Sequence, residues 1–189
     1  MTVANLKGGV GKTTTAVYLA RNLKAVLVDA DPQGSAVAWG ELAAETGEDF
    51  GIEIVHLPTP KLRHRLPAAD RLVIDCSPRD HAITDAAIAA ASLVVVPSAP
   101  STADLDRTWA TLDLCASFHT AAVVLLVKVR PNTCSLAAAG EALAAERVHV
   151  LAAHIPQREA LAVSWGRALA TNQFGYDLAA NEIKELLNA

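Results

Sequence analysis

The chain has 189 residues, 52% of them hydrophobic and 19% charged, which excludes a disordered polymer and suits one domain with a sizeable core. Aromatics are only 4%, so that core must be built from Ala, Val, Leu and Ile, and no apolar run approaches the roughly 20 residues of a membrane helix. The formal charge of −4 argues against a dedicated, overall basic nucleic-acid-binding domain and leaves room only for a local patch.

Residues 2–5 read as a short first strand, and 13–23 as a helix with apolar positions at 16, 17, 19, 20 and 23. A buried strand over 25–29 runs into Asp31-Pro32-Gln33-Gly34, after which Ser35 is placed to cap a helix over 36–44. A weak strand at 54–57 and a clear one at 71–75 follow, the latter closed by Ser77-Pro78. Residues 82–91 predict helix, 93–97 strand, and 103–118 a long helix. The strongest strand is 121–129, where seven Ala, Val or Leu residues run unbroken before Lys128. Then come helix over 136–146, a strand-like 148–152, and helices over 159–170 and 178–187. Apolar strands alternating with helices predict a single α/β domain over 1–189, with a mostly parallel sheet of about seven strands covered on both faces.

The densest chemistry lies at the first turn. Gly11-Lys12-Thr13 supplies the second half of a phosphate loop, although position 6, where the general pattern has its first Gly, is Leu6. Gly8, Gly9 and Gly11 free the backbone to aim N–H groups at phosphate oxygens. The helix that starts near Thr13 adds its positive end. Lys12 can reach the β- and γ-phosphates, and the Thr13 hydroxyl can ligate Mg²⁺. One lysine is enough for the phosphates, so Lys7 requires a separate role.

The run Lys7-Gly8-Gly9-Val10-Gly11-Lys12-Thr13-Thr14 resembles the deviant Walker A box of the ParA/MinD ATPases. The resemblance implies that ATP is held by Gly8, Gly9, Val10, Gly11, Lys12, Thr13 and Thr14. It also implies that Lys7 acts in trans, reaching the partner's nucleotide across an ATP-sandwich dimer. Asp29-Ala30-Asp31-Pro32-Gln33-Gly34 resembles the family's Asp-x-Asp-Pro-Gln-Gly segment, which makes Asp31 the water-positioning catalytic residue and Asp29 a support of the Mg²⁺ environment. Leu72-Val73-Ile74-Asp75 is similar to a Walker B strand, with Asp75 holding Mg²⁺ through a water. The family continues Thr-Pro-Pro. Here Cys76-Ser77-Pro78-Arg79 stands instead, with Ser77 offering a hydroxyl one place late. Pro97-Ser98-Ala99-Pro100-Ser101 resembles the proline-bearing loop that lies against the nucleotide or the dimer interface, so Pro100 joins the nucleotide-binding set. Val127-Lys128-Val129-Arg130-Pro131 lacks the Asn that helps the family recognise adenine, and Ile155-Pro156-Gln157-Arg158 resembles a late family segment.

With six residues before Lys7, the chain resembles the short stand-alone ParA proteins of the ParF kind. These imply a cytoplasmic ATPase that dimerises on ATP, binds DNA nonspecifically on the nucleoid, and is stimulated by a small ParB-like centromere-binding partner. Arg130, Arg158, Arg167 and Lys184 are the candidate DNA contacts, with Lys61, Arg63 and Arg65 as a second cluster. A MinD-like membrane helix fits poorly, because 177–189 carries Asp177, Glu182 and Glu185 against Lys184 alone. A metabolic P-loop ligase of the dethiobiotin synthetase type is the rival from another class, and it would have no use for Lys7. The six histidines are scattered without metal spacing, and Cys76, Cys115 and Cys134 suit free thiols.

Overall fold

The computed structural model describes all residues except Glu48, Thr171 and Ala189. Its strands are β1 (Thr2–Val3), β2 (Val26–Asp29), β3 (Ile54–His56), β4 (Leu72–Asp75), β5 (Val94–Ser98) and β6 (Ala122–Leu126). They form one six-stranded sheet in the order β3-β2-β4-β1-β5-β6, and every pairing is parallel. The helices are α1 (Lys12–Leu23), α2 (Ser35–Glu45), α3 (His81–Ala90), α4 (Thr102–Ser117), α5 (Cys134–Ala145), α6 (Glu159–Ala162) and α7 (Tyr176–Asn188).

Alternation along each strand divides the core in two. Val3, Leu27, Val73, Val95, Val123 and Leu125 face a layer containing α1, α2 and α7. Val28, Ile74, Val94, Val96, Val124 and Leu126 face the layer of α3, α4 and α5. With few aromatics available, the first layer gains bulk from Tyr18 stacked on Tyr176 at 4.9 Å and from Trp39 against Phe50. All three cysteines are free thiols. Among the described residues no helix is long and apolar enough to cross a membrane. The apolar side of α7 (Tyr176, Ala179, Ala180, Ile183) is buried in the first layer.

Three expectations need correction. The sheet has six strands, not about seven, because among the described residues the strand-like 148–152 pairs with β6 at a single isolated bridge, Val124–Val150. Beyond that bridge the N–H groups of Ala152 and Ala153 leave the ladder and donate to the two carboxylate oxygens of Glu182 on α7, at 2.7 and 2.8 Å. The helix expected over 159–170 stops at Ala162. Gly166 takes the left-handed φ of 77°, the Arg167 carbonyl accepts from Trp39 Nε1, and the Leu169 carbonyl accepts from Arg21. Ser35 is the first residue of α2 rather than its cap. Gly34 takes the cap position, without a side chain to serve it.

Glu182 thus joins α7 to the edge of the sheet. Glu182→Ala is expected to lower unfolding stability by about 1–3 kcal/mol, since two backbone donors lose their partner. Urea denaturation measures this, and an unchanged midpoint would contradict it.

Candidate nucleotide-binding site

The parallel register brings Asp29 opposite Asp75 at the ends of neighbouring strands β2 and β4. Both are buried, yet they are satisfied differently. Asp29 Oδ2 accepts the N–H groups of Ala36 (2.9 Å) and Val37 (3.1 Å), and Oδ1 accepts that of Asp31 (3.2 Å). Asp29 therefore caps α2 from a distance, which supplies what Gly34 cannot. Burial raises its pKa, and the bonds from Val37, Ala36 and Asp31 pull the other way.

Asp75 has no such compensation. Neither of its carboxylate oxygens has a hydrogen-bond partner among the described residues. Burial pushes its pKa up to about 7. The nearby Thr13 hydroxyl holds it down without the geometry of a full hydrogen bond, Asp29 raises it further, and Lys12 lowers it. A buried, unpartnered carboxylate beside a threonine hydroxyl is a donor set for a hard cation. Mg²⁺ is commonly held by one or two carboxylates, with phosphates and water completing the shell. Among the described residues no group of three or more His, Cys, Asp or Glu side chains is placed to hold a metal ion by itself. Thr13 and Asp75 fit Mg²⁺ of that kind. The oxygens of Asp29 are turned instead to the backbone N–H groups of Asp31, Ala36 and Val37.

Above these strand ends the P-loop carries Gly9 at φ 73° and Gly11 at φ 99°, a conformation that a side chain would strain. Gly11 is the N-cap of α1 and no side chain caps the helix, so the first N–H groups of α1 stay available to a ligand. Leu6, at the missing-glycine position, donates its N–H to Thr111 Oγ1 of α4. Lys12 is nearly buried, and its ammonium donates to the Lys7 carbonyl at 2.7 Å. Burial lowers its pKa, while Asp75, Cys76 and Asp31 raise it.

A cleft of about 470 Å³ runs over this loop, lined by Gly8, Gly9, Gly11, Lys12, Thr13, Thr14, Asp31, Gln33, Ser35, Ser77, Pro78 and Arg79. Asp31 lies in its wall, with Oδ1 accepting the Gln33 N–H at 3.0 Å. A second cleft of about 280 Å³ shares Gly11 and Thr14 with the first and continues past Val10, Val127, Lys128, Ile155, Gln157, Arg158 and Tyr176. Phosphates over the loop and a base in the second cleft match this outline. Val127 stands at the position of the missing Asn there, and its neighbour Lys128 donates to the Gly9 carbonyl at 2.7 Å. Nothing in the local pattern marked Gln33, Ser35 or Tyr176 as cleft residues. The segments 127–131 and 155–158 were the only signals of the base cleft.

Lys7 is absent from the lining of its own phosphate cleft. Its ammonium forms an ion pair of 2.8 Å with Asp104, which Ser101 also contacts at the α4 N-terminus. Pro100 lines neither nucleotide cleft. It sits with Leu105, Ser135 and Ala139 in a groove between α4 and α5, because the Ser101 cap turns the chain there. The four candidate DNA contacts do not form one patch. Arg130 bonds Gln157 at 2.7 Å near Arg158 in the base cleft, whereas Lys184 lines a pocket with Met1 and Leu72 at the opposite end of the sheet. Arg167 lies in the irregular stretch after α6, and Lys61, Arg63 and Arg65 stay exposed about the turn Leu62–His64.

The folded pKa of Asp75, about 7, exceeds its ordinary 3.8. Across that interval the folded state holds the extra proton, so stability falls as pH rises and levels off above the folded pKa. Asp75→Asn is expected to remove the decline. Without nucleotide or Mg²⁺, its stability relative to the parent should improve by on the order of 1–4 kcal/mol from about pH 5 to about pH 8. Urea titrations at the two pH values check this, and parallel curves for both proteins would refute it.

The model of the CobQ/CobB/MinD/ParA nucleotide binding domain matches residues 1–169. The chain is 37% identical to the maintenance of carboxysome distribution protein A of Gloeobacter kilaueensis over 160 residues, covering 77% of this chain and 68% of that protein. It is 28% identical to the protein of the same name from Halothiobacillus neapolitanus, covering 100% and 94%. Among solved structures, a putative plasmid partition protein of Borrelia burgdorferi bound to AMPPNP superposes with a TM-score of 0.77 at 18% identity, covering 99% of this chain and 97% of that one. A match across nine-tenths of the chain, beginning at the strand that feeds the phosphate loop, places this protein in the CobQ/CobB/MinD/ParA nucleotide binding domain family.

Proposed function

We propose that the chain is a partition-type positioning ATPase, a switch that is set by ATP and reset by hydrolysis. ATP with Mg²⁺ lies over the P-loop and joins two copies into a sandwich dimer. The dimer binds DNA without sequence preference and engages a small cargo-bound partner of the ParB kind. The carboxysome-distribution names of the relatives favour a protein assembly as the cargo over a plasmid centromere.

The observation that carries this reading is the position of Lys7. It springs from the P-loop, yet its charge lies on Asp104 outside its own cleft, where a metabolic ligase would have no use for it. On the face of a dimer the same lysine can meet the partner's phosphates and neutralise charge as it develops. Asp31, within the cleft wall, orients the attacking water. The water oxygen bonds to the γ-phosphorus as the bond to the bridging oxygen breaks, ADP keeps that electron pair, and the water's proton passes to phosphate or solvent. Lys12 holds the phosphates. Mg²⁺, held by Thr13 and Asp75, neutralises β/γ charge when bound.

Asp31→Ala is expected to bind ATP, hydrolyse it at least about 100-fold more slowly and accumulate as dimer on gel filtration. Lys7→Ala is expected to keep monomeric nucleotide affinity while losing turnover by about 10²–10³. A fully active monomeric Lys7→Ala protein would favour a metabolic enzyme.

DNA binding by the ATP-loaded dimer is expected to be salt-sensitive, with a log–log slope of about −4 to −5 for four to six phosphate contacts. Arg130 and Arg158, exposed at one edge, are the strongest candidates for those contacts. Salt-insensitive binding, or none with ATP present, would remove DNA from the scheme.

A further inference from the structure

Arg79 follows β4 by four residues and lines the phosphate cleft, although no family motif assigns it a part there. The loop that carries it is tied on both sides. The buried Ser77 accepts the Thr84 hydroxyl on its carbonyl at 2.8 Å, and its own Oγ accepts the Arg79 N–H at 3.2 Å. The neighbouring carboxylate, Asp80, accepts the Ile83 N–H at 3.0 Å and caps α3. Among the described residues the ion pairs are Lys7–Asp104 and Arg107–Asp106, so the Arg79 guanidinium forms no ion pair with any of them.

The two clefts give the nucleotide a direction. They meet at Gly11 and Thr14, and the base cleft leads away from that junction through Val127 and Gln157. The other end of the phosphate cleft, on the side of β1 away from β6, is walled by Asp31 and Gln33 after β2 and by Ser77 and Arg79 after β4. A triphosphate whose base occupies the second cleft carries its terminal phosphate toward that end. The cations lining the phosphate cleft are Lys12 and Arg79, Lys7 being held on Asp104.

We propose that Arg79 contacts the terminal phosphate of bound ATP from within the same chain, as an arginine supplied in cis. This rests on the reading of the cleft as an ATP site. The planar guanidinium can fork onto two phosphate oxygens, and it stabilises the charge spread over them as the phosphoryl group transfers. Arg79 thereby separates ATP from ADP, and part of the turnover without any partner depends on it.

The test compares the full-length parent with Arg79→Ala and Arg79→Lys, using AMPPNP and ADP binding by calorimetry and steady-state ATP hydrolysis. Arg79→Ala is expected to weaken AMPPNP by about 10- to 100-fold while ADP changes by less than about 3-fold, as for the loss of one charge-assisted contact. Its turnover should fall by about 10²-fold or more. Arg79→Lys should recover AMPPNP affinity in part, because it keeps the charge and loses the fork. ADP binding also reports that the variants are folded. Equal losses for both nucleotides, or AMPPNP binding and turnover as in the parent, overturn the proposal alone. A parent that binds neither nucleotide overturns the ATP-site reading and this proposal with it.

Discussion

Two carboxylates end adjacent parallel strands in register, and the rest of the site is arranged around that crowding. Asp29 and Asp75 are both buried at the carboxyl ends of β2 and β4. Burial raises the pKa of each, and the Asp29 charge raises that of Asp75 further. For Asp29 the compensating group is the α2 backbone, whose first N–H groups bond to it. For Asp75 nothing in the protein compensates fully, and its pKa rises to about 7. That imbalance gives the site a place for a cation and makes the ligand-free protein sensitive to pH.

The same contrast separates the two helix N-termini at the site. The start of α2 is capped internally by Asp29, which takes the N–H groups of Ala36 and Val37. The start of α1, headed by Gly11, has no side-chain cap and opens into the phosphate cleft. One helix end is structural and the other is left for a ligand. The basic side chains divide in a comparable way. Lys12 is folded onto the loop's own Lys7 carbonyl, Lys7 is held on α4 through Asp104, and Arg79 stands in the cleft wall. Each therefore differs in what it can reach without moving.

Away from the site, local pattern and final structure part where long-range bonds compete with the regular ladder. Residues 148–152 have the composition of a strand, but Glu182, thirty residues on, takes the N–H groups of Ala152 and Ala153. Residues 159–170 have a helical pattern, but Trp39 and Arg21 claim carbonyls that would have served a helix. Propensity is a weak prior where a distant side chain offers a better-placed partner.

The sequence by itself determined the alternation of strands and helices, the phosphate loop, and the acids that end β2 and β4. Each of these is written in contiguous residues whose spacing has a direct geometric meaning. Only the tertiary structure decided that the sheet has six strands, that Asp29 caps a helix while Asp75 stays unpartnered, that Pro100 leaves the nucleotide clefts, and that Lys128, Tyr176 and Arg79 line them. These outcomes join residues far apart along the chain. They are settled by strand register and by competition for hydrogen bonds, which a local pattern does not encode.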